Sequence, residues 1–113
     1  MGLKPQSLAE FELLVLLAAL RLGPEEAYAV SIADHIERRT GRNVRPANVY
    51  TTLQRLEGKR LIATHLSEPR AERGGKPRRL VTVLKPGIAS VRATTGAIQA
   101  MAGELGHLLR EPR

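Results

Sequence analysis

A chain of 113 residues is long enough for one modest core, and with no cysteine it forms no disulfide and no thiolate metal site, which fits a reducing cytoplasm. Its net charge of +7 is concentrated in one stretch: Arg42 to Arg79 hold ten Lys/Arg against three Glu, and the rest of the chain balances eight cations with eight carboxylates. A focused basic surface suits a polyanion, because each neutralised phosphate releases condensed counterions, whereas purely solubilising charge would be spread out.

The first residues do not read as a secretory leader. The most apolar run, Leu13 to Leu20, is shorter than the ~20 residues a membrane span needs, and Glu10, Glu12 and Arg21 flank it. It reads as a buried helix segment. Leu8, Phe11, Val15, Ala18 and Leu22 recur at helical spacing, and Leu14, Leu16, Leu17 and Leu20 place apolar groups on the other faces. A helix apolar on most sides must be covered on most sides, and a second subunit is the natural cover. Gly23-Pro24 ends it.

A second helix is predicted from about Tyr28 to Arg39, with Ala29, Ile32, Ala33 and Ile36 as its narrow apolar stripe and Thr40-Gly41 as its close. Arg45-Pro46 opens a third, since proline suits a first helical turn. Val49, Leu53 and Leu56 face its core, Ala47, Asn48, Thr51, Gln54 and Arg55 lie away from them, and Gly58 ends it. Two extended runs follow, Leu61 to Leu66 and Arg79 to Leu84. The stretch between them carries Pro69, Gly74, Gly75 and Pro77, which reads as a hairpin with a long basic tip. A last helix is predicted from Pro86 to Leu109. Ile88, Val91, Thr95, Ile98, Ala102, Leu105 and Leu109 alternate in steps of three and four, the spacing of a two-helix seam. Gly96, Gly103 and Gly106 weaken it, with fraying expected beyond Gly103.

This order predicts a mainly α chain with a small β-hairpin (α+β): a winged helix-turn-helix with a long C-terminal dimerisation helix. Residues 1–84 form the DNA-binding domain, and residues 85–113 the dimerisation helix and tail. The second helix of such a pair enters the major groove, where base edges are distinguishable. Candidate DNA contacts on it are Arg45, Pro46, Ala47, Asn48, Tyr50, Thr51, Gln54 and Arg55. Gln54 can pair with adenine, and Arg55 can reach guanine or phosphate. Tyr50 can pack at the helix edge with its hydroxyl in water. Arg70, Arg73, Gly74, Gly75, Lys76 and Arg78 form the candidate wing contacts, a cationic tip able to track phosphates or enter the minor groove. The candidate dimer interface comprises Phe11, Leu14, Val15, Ile88, Val91, Thr95, Ile98, Ala102 and Leu105.

Aromatic residues number three, Phe11, Tyr28 and Tyr50. Single-strand and RNA binders stack bases on several aromatic platforms, so duplex DNA is favoured. Tyr28 reads as structural, a ring sealing the junction of the first two helices. No Ser/His/acid spacing suggests a catalytic triad, and His35, His65 and His107 lie far apart, with no ligand spacing for a metal. Asp34 and His35 adjoin, but helix neighbours point about 100° apart. Gly74-Gly75-Lys76 lacks the rest of a phosphate loop, and Pro77 follows it. The sequence therefore predicts no enzyme, no metal, no cofactor and no membrane partner. A protein-docking module or antirepressor on the same scaffold is the alternative, against which the cations of the wing argue.

The chain resembles the short members of the PadR family of winged-helix transcriptional regulators, from about Leu8 to Gly87. The resemblance rests on the apolar helix Leu13 to Leu20, then Gly23-Pro24 and Ala27-Tyr28. It continues with Tyr50, Leu53 and Leu56-Glu57, and with the wing core Gly75, Lys76, Pro77, Arg78 and Arg79. Ala27 replaces the usual Gly, Val81 a frequent Tyr, and Leu84-Lys85-Pro86-Gly87 a Leu-Thr-Glu-x-Gly-like start that would cap the last helix. The resemblance implies a homodimer joined through the first and last helices, with two recognition helices on a pseudo-palindrome. It also implies a contact of the Tyr50 hydroxyl with a phosphate, and repression, in some members relieved by a small molecule. In this chain an effector has to act at the dimer interface, or by changing the spacing of the recognition helices.

Overall fold

The computed structural model describes residues 4–68 and 76–110. Helix α1 (Glu10–Leu22) is followed by α2 (Ala29–Thr40), α3 (Pro46–Gly58), strands β1 (Ile62–Leu66) and β2 (Arg79–Val83), α4 (Lys85–Ala102) and the short α5 (Gly106–Leu109). The strands pair antiparallel, Ile62 opposite Val83 and Leu66 opposite Arg79. The Val81 N–H donates to the Ala27 carbonyl at 2.9 Å, which ties the base of the hairpin to the entry of α2.

The core gathers one stripe from each helix. Leu13, Val15, Leu16 and Ala19 come from α1, Ile32 and Ile36 from α2, and Val49, Leu53 and Leu56 from α3. Leu61, Ile62 and Val81 close it from the hairpin. Gly41 ends α2 in the left-handed region, at φ 76°, a conformation open to glycine at no steric cost. Arg45 precedes α3 in extended backbone, and Pro46 occupies its first turn as expected.

Helix α4 starts at Lys85, one residue before its expected start, and its N-cap Leu84 provides no side-chain hydrogen bond. Its first turn presses on the start of β1: the Leu84 N–H donates to the Leu61 carbonyl at 3.0 Å, and Gly87 packs against the same carbonyl. The expected single helix to Leu109 is interrupted. Gly103 leaves the helix, Glu104 takes a positive φ of 68°, and α5 restarts at Gly106. A residue without helical propensity at Gly103 and a left-handed one after it end the i→i−4 ladder.

Two expected dimer residues are corrected. Val15 is wholly buried and Val91 nearly so within the subunit's own core, so neither presents a surface to a partner. The first turns of α4 are used within the subunit, where Gly87, Ser90 and Val91 are buried. Phe11 and Leu14 are half-buried, and Ile88, Ile98, Ala102 and Leu105 are exposed. Among the described residues no helix is long and apolar enough to cross a membrane.

Candidate nucleic-acid interface

Helix α3 divides its circumference cleanly. Val49, Leu53 and Leu56 are buried, and Arg45, Pro46, Ala47, Asn48, Tyr50, Thr51, Gln54 and Arg55 are all exposed. At about 100° per residue, Ala47, Thr51 and Gln54 lie opposite the buried stripe. Asn48 and Arg55 occupy one shoulder of the helix, and Tyr50 occupies the other. A helix lying in a major groove turns its crest to the base edges and its shoulders to the two strands of phosphates. Tyr50 is 48% exposed. Thr51 donates its hydroxyl to the Ala47 carbonyl at 3.1 Å, which fixes its rotamer with the methyl group turned elsewhere.

At the base of the hairpin, Lys76 and Arg79 are exposed and Arg78 is half-buried. The Arg78 guanidinium lies over the Tyr28 ring, 4.6 Å from its centre. Tyr28 is the residue preceding α2, so this contact joins the entry of that helix to the hairpin. Arg78 N–H donates to Ser67 Oγ at 2.9 Å, and Ser67 N–H to the Arg78 carbonyl at 2.7 Å, closing the hairpin base. Arg70, Arg73, Gly74 and Gly75 lie outside the described residues.

Behind α3 sits a buried carboxylate. Glu12 of α1 is 3% exposed. It accepts from the Ala9 N–H at 2.9 Å and from Lys59 Nζ at 2.8 Å, and Arg55 Nη1 stands 4.0 Å away. Glu10, one turn edge away, binds Arg42 at 2.9 Å. The acidic first turn of α1 thus holds cations from α3 and from the segment that leads into it.

The model of the transcriptional regulator PadR-like family matches residues 16–93. The chain belongs to the PadR-like family of transcriptional regulators. Solved members share its fold. A PadR family regulator from Eggerthella lenta is 23% identical, with a TM-score of 0.64 over 88% of this chain and 83% of that one. A PadR-like regulator from Bacillus cereus is 16% identical, with a TM-score of 0.67 over 88% of this chain and 94% of that one. One from Clostridium difficile is 17% identical, with a TM-score of 0.66 over 87% and 98%. No curated protein sequence matches the chain.

Sequence reasoning missed the roles of Glu12 and Arg42 in this PadR-like regulator. Glu12 had a readable signal, since a Glu in the first helical turn, three residues after the N-cap, can bond back to that residue's N–H. Burial pushes the Glu12 carboxyl up, but the Lys59 hydrogen bond, the Ala9 N–H and the charges of Lys59 and Arg55 together hold it below the ordinary carboxylate range. A carboxyl depressed on folding contributes stability above its unfolded value, and that contribution disappears as pH falls through the folded one. Glu12→Gln should cost roughly 1–3 kcal/mol at pH 7, the worth of a charge-assisted hydrogen bond. Urea unfolding at neutral and acid pH checks it: the gap between the two proteins should narrow as the solution is acidified, and a gap independent of pH would contradict the charge argument.

Proposed function

We propose that the chain is a sequence-specific regulator that binds double-stranded DNA in the cytoplasm and acts as a homodimeric repressor on a pseudo-palindromic operator. The observation that carries this reading is the α3 surface. A wet crest of Ala47, Thr51 and Gln54 sits between polar shoulders, and the hairpin that follows α3 exposes Lys76 and leaves Arg78 half-exposed. The crest would read base edges, with Gln54 suited to adenine, and the wing cations would hold the backbone. Repression needs only occupancy of the operator, which such a face supplies. Selection of bound duplexes from random DNA, followed by salt titration of the winning site, tests the proposal. A palindromic winner and a steep negative log–log salt slope are expected; a winner without two-fold symmetry would remove the operator model.

Dimerisation is supported by apolar surface that the subunit leaves open. Leu14, Leu17 and Leu20 line a hollow of about 440 Å³ between α1 and α2. Ile98, Met101, Leu105, Leu108 and Leu109 are exposed along α4 and α5. Helices α4 and α5 of one subunit would cover the α1 face of the other, leaving α3 and the hairpin to the DNA. Met101→Glu combined with Leu105→Glu should give a monomer by light scattering at micromolar concentration and weaken operator binding by roughly a hundredfold, as the linked second half-site is lost. A double variant that stays dimeric would place the interface elsewhere.

A further inference from the structure

The shoulder of α3 that carries Arg55 does not face open solvent alone. It forms one wall of a polar hollow of about 490 Å³ whose floor includes Phe11 of α1 and whose rim is Arg42, Asn43, Asn48, Thr51 and Arg55. No carboxylate is among the residues lining it. The two arginines come from different segments, Arg42 from the turn before α3 and Arg55 from the last turn of α3, and both lie beside the acidic first turn of α1. Glu10 binds Arg42 Nη2 at 2.9 Å. Glu12, whose charge is taken up by Lys59 at 2.8 Å, stands 4.0 Å from Arg55 Nη1. A guanidinium has five N–H donors, so one carboxylate contact fixes its plane and leaves most of the fork for a second anion. The amides of Asn43 and Asn48 add neutral donors between the two charges.

We propose that this hollow seats one phosphate of the DNA backbone, gripped by Arg42 and Arg55, and that Arg55 fixes the register of the helix instead of reading guanine. The inference rests on the duplex-binding reading and extends it to a named contact. It follows from position as well as charge. Arg55 lies on the shoulder of α3, one turn beyond Thr51 and off the centre of the Ala47–Thr51–Gln54 crest, and its guanidinium lies on the side toward α1, 4.0 Å from Glu12. Arg42 sits in the turn between the two helices of the motif, where the chain would cross the strand of phosphates flanking the groove. Glu10 and Glu12 act as positioning residues: Glu10 binds Arg42 directly, and the charge of Glu12 attracts Arg55 from 4.0 Å.

A phosphate contact and a base contact respond differently to truncation. Binding of the full chain to its selected duplex and to an unrelated duplex of equal length is measured between about 50 and 200 mM salt. Arg42→Ala and Arg55→Ala should each weaken both duplexes alike, by roughly five- to tenfold near 0.1 M salt, and make the log–log slope shallower by about 0.9. Arg42→Lys and Arg55→Lys should restore the slope. Arg38→Ala, which removes a cation paired with Asp34 on α2, serves as the remote control and should leave the slope unchanged. A loss confined to the selected duplex for Arg55→Ala, or an unchanged slope for either alanine variant, overturns the seat. Inorganic phosphate titrated into nitrogen-15-labelled protein provides an arm without DNA. The Arg42 and Arg55 Nε–Hε signals should shift before that of Arg38, and uniform shifts overturn the seat. A wild-type chain that ignores every duplex yet shows the ordered shifts would instead remove the duplex-binding reading and keep the anion site.

Discussion

Replacing Arg73, Lys76 and Arg78 together by Ala should lower duplex affinity by roughly several hundredfold at 0.1 M salt and flatten the salt slope by about 2.7, the sum of three phosphate contacts. The three changes are not equivalent. Lys76 is exposed and packs on little, so its loss should appear in binding alone. Arg78 lies over Tyr28, so its removal should also cost about 0.5–1 kcal/mol of folding stability through the lost cation–π contact. Arg73 lies outside the described residues, and its inclusion rests on the charge pattern of the sequence. Circular dichroism before and after heating separates the folding loss from the binding loss. If the triple variant held duplexes as tightly as the parent, with the same salt slope, the hairpin would have no part in DNA binding.

Two glycines on one helix should respond in opposite directions to the same methyl group. At Gly87 a Cβ would overlap the Leu61 carbonyl oxygen and press on Val83. That carbonyl is fixed, because it accepts from the Leu84 N–H. Backbone against backbone cannot yield as two side chains can, so α4 would have to lift from the hairpin. Gly87→Ala should therefore cost at least about 2 kcal/mol, the range of overpacked cores, and lower Tm by roughly 8 °C or more. At Gly96 an added Cβ meets nothing within 4 Å, and φ is not positive. Gly96→Ala should stabilise by about 0.5–1 kcal/mol, as alanine does in a helix interior. Equal and small effects at both sites would mean that α4 is not seated on β1 as described.

The helices of this PadR-like chain were legible because their apolar stripes keep a helical period and their ends carry Gly, Pro or both. Val49, Leu53 and Leu56 named the buried side of α3, and its eight candidate contacts all prove exposed. The hairpin was legible from two β-rich runs around a Gly/Pro-rich stretch. Periodicity was less informative about which partner covers a stripe. Val15 and Val91 obey the same spacing as their exposed neighbours, yet the subunit itself encloses them. Spacing reports that a face is apolar and carries no information on whether the cover is internal or external. Glu12 and Arg42 were missed for a related reason. Their roles come from contacts across 32 to 47 positions of chain, Glu10 with Arg42 and Glu12 with Lys59, which no local pattern encodes.

The left-handed backbone at Glu104 works as an elbow. It frees the heading of the last apolar segment from the axis of α4, so Leu105, Leu108 and Leu109 cannot prolong one straight rod. In the proposed dimer this divides the labour in two: α4 is a strut that sets how far apart the reading heads stand, and α5 is a clasp that closes over the neighbour. Trimming the chain after Ala102 would open the clasp and leave the ruler intact.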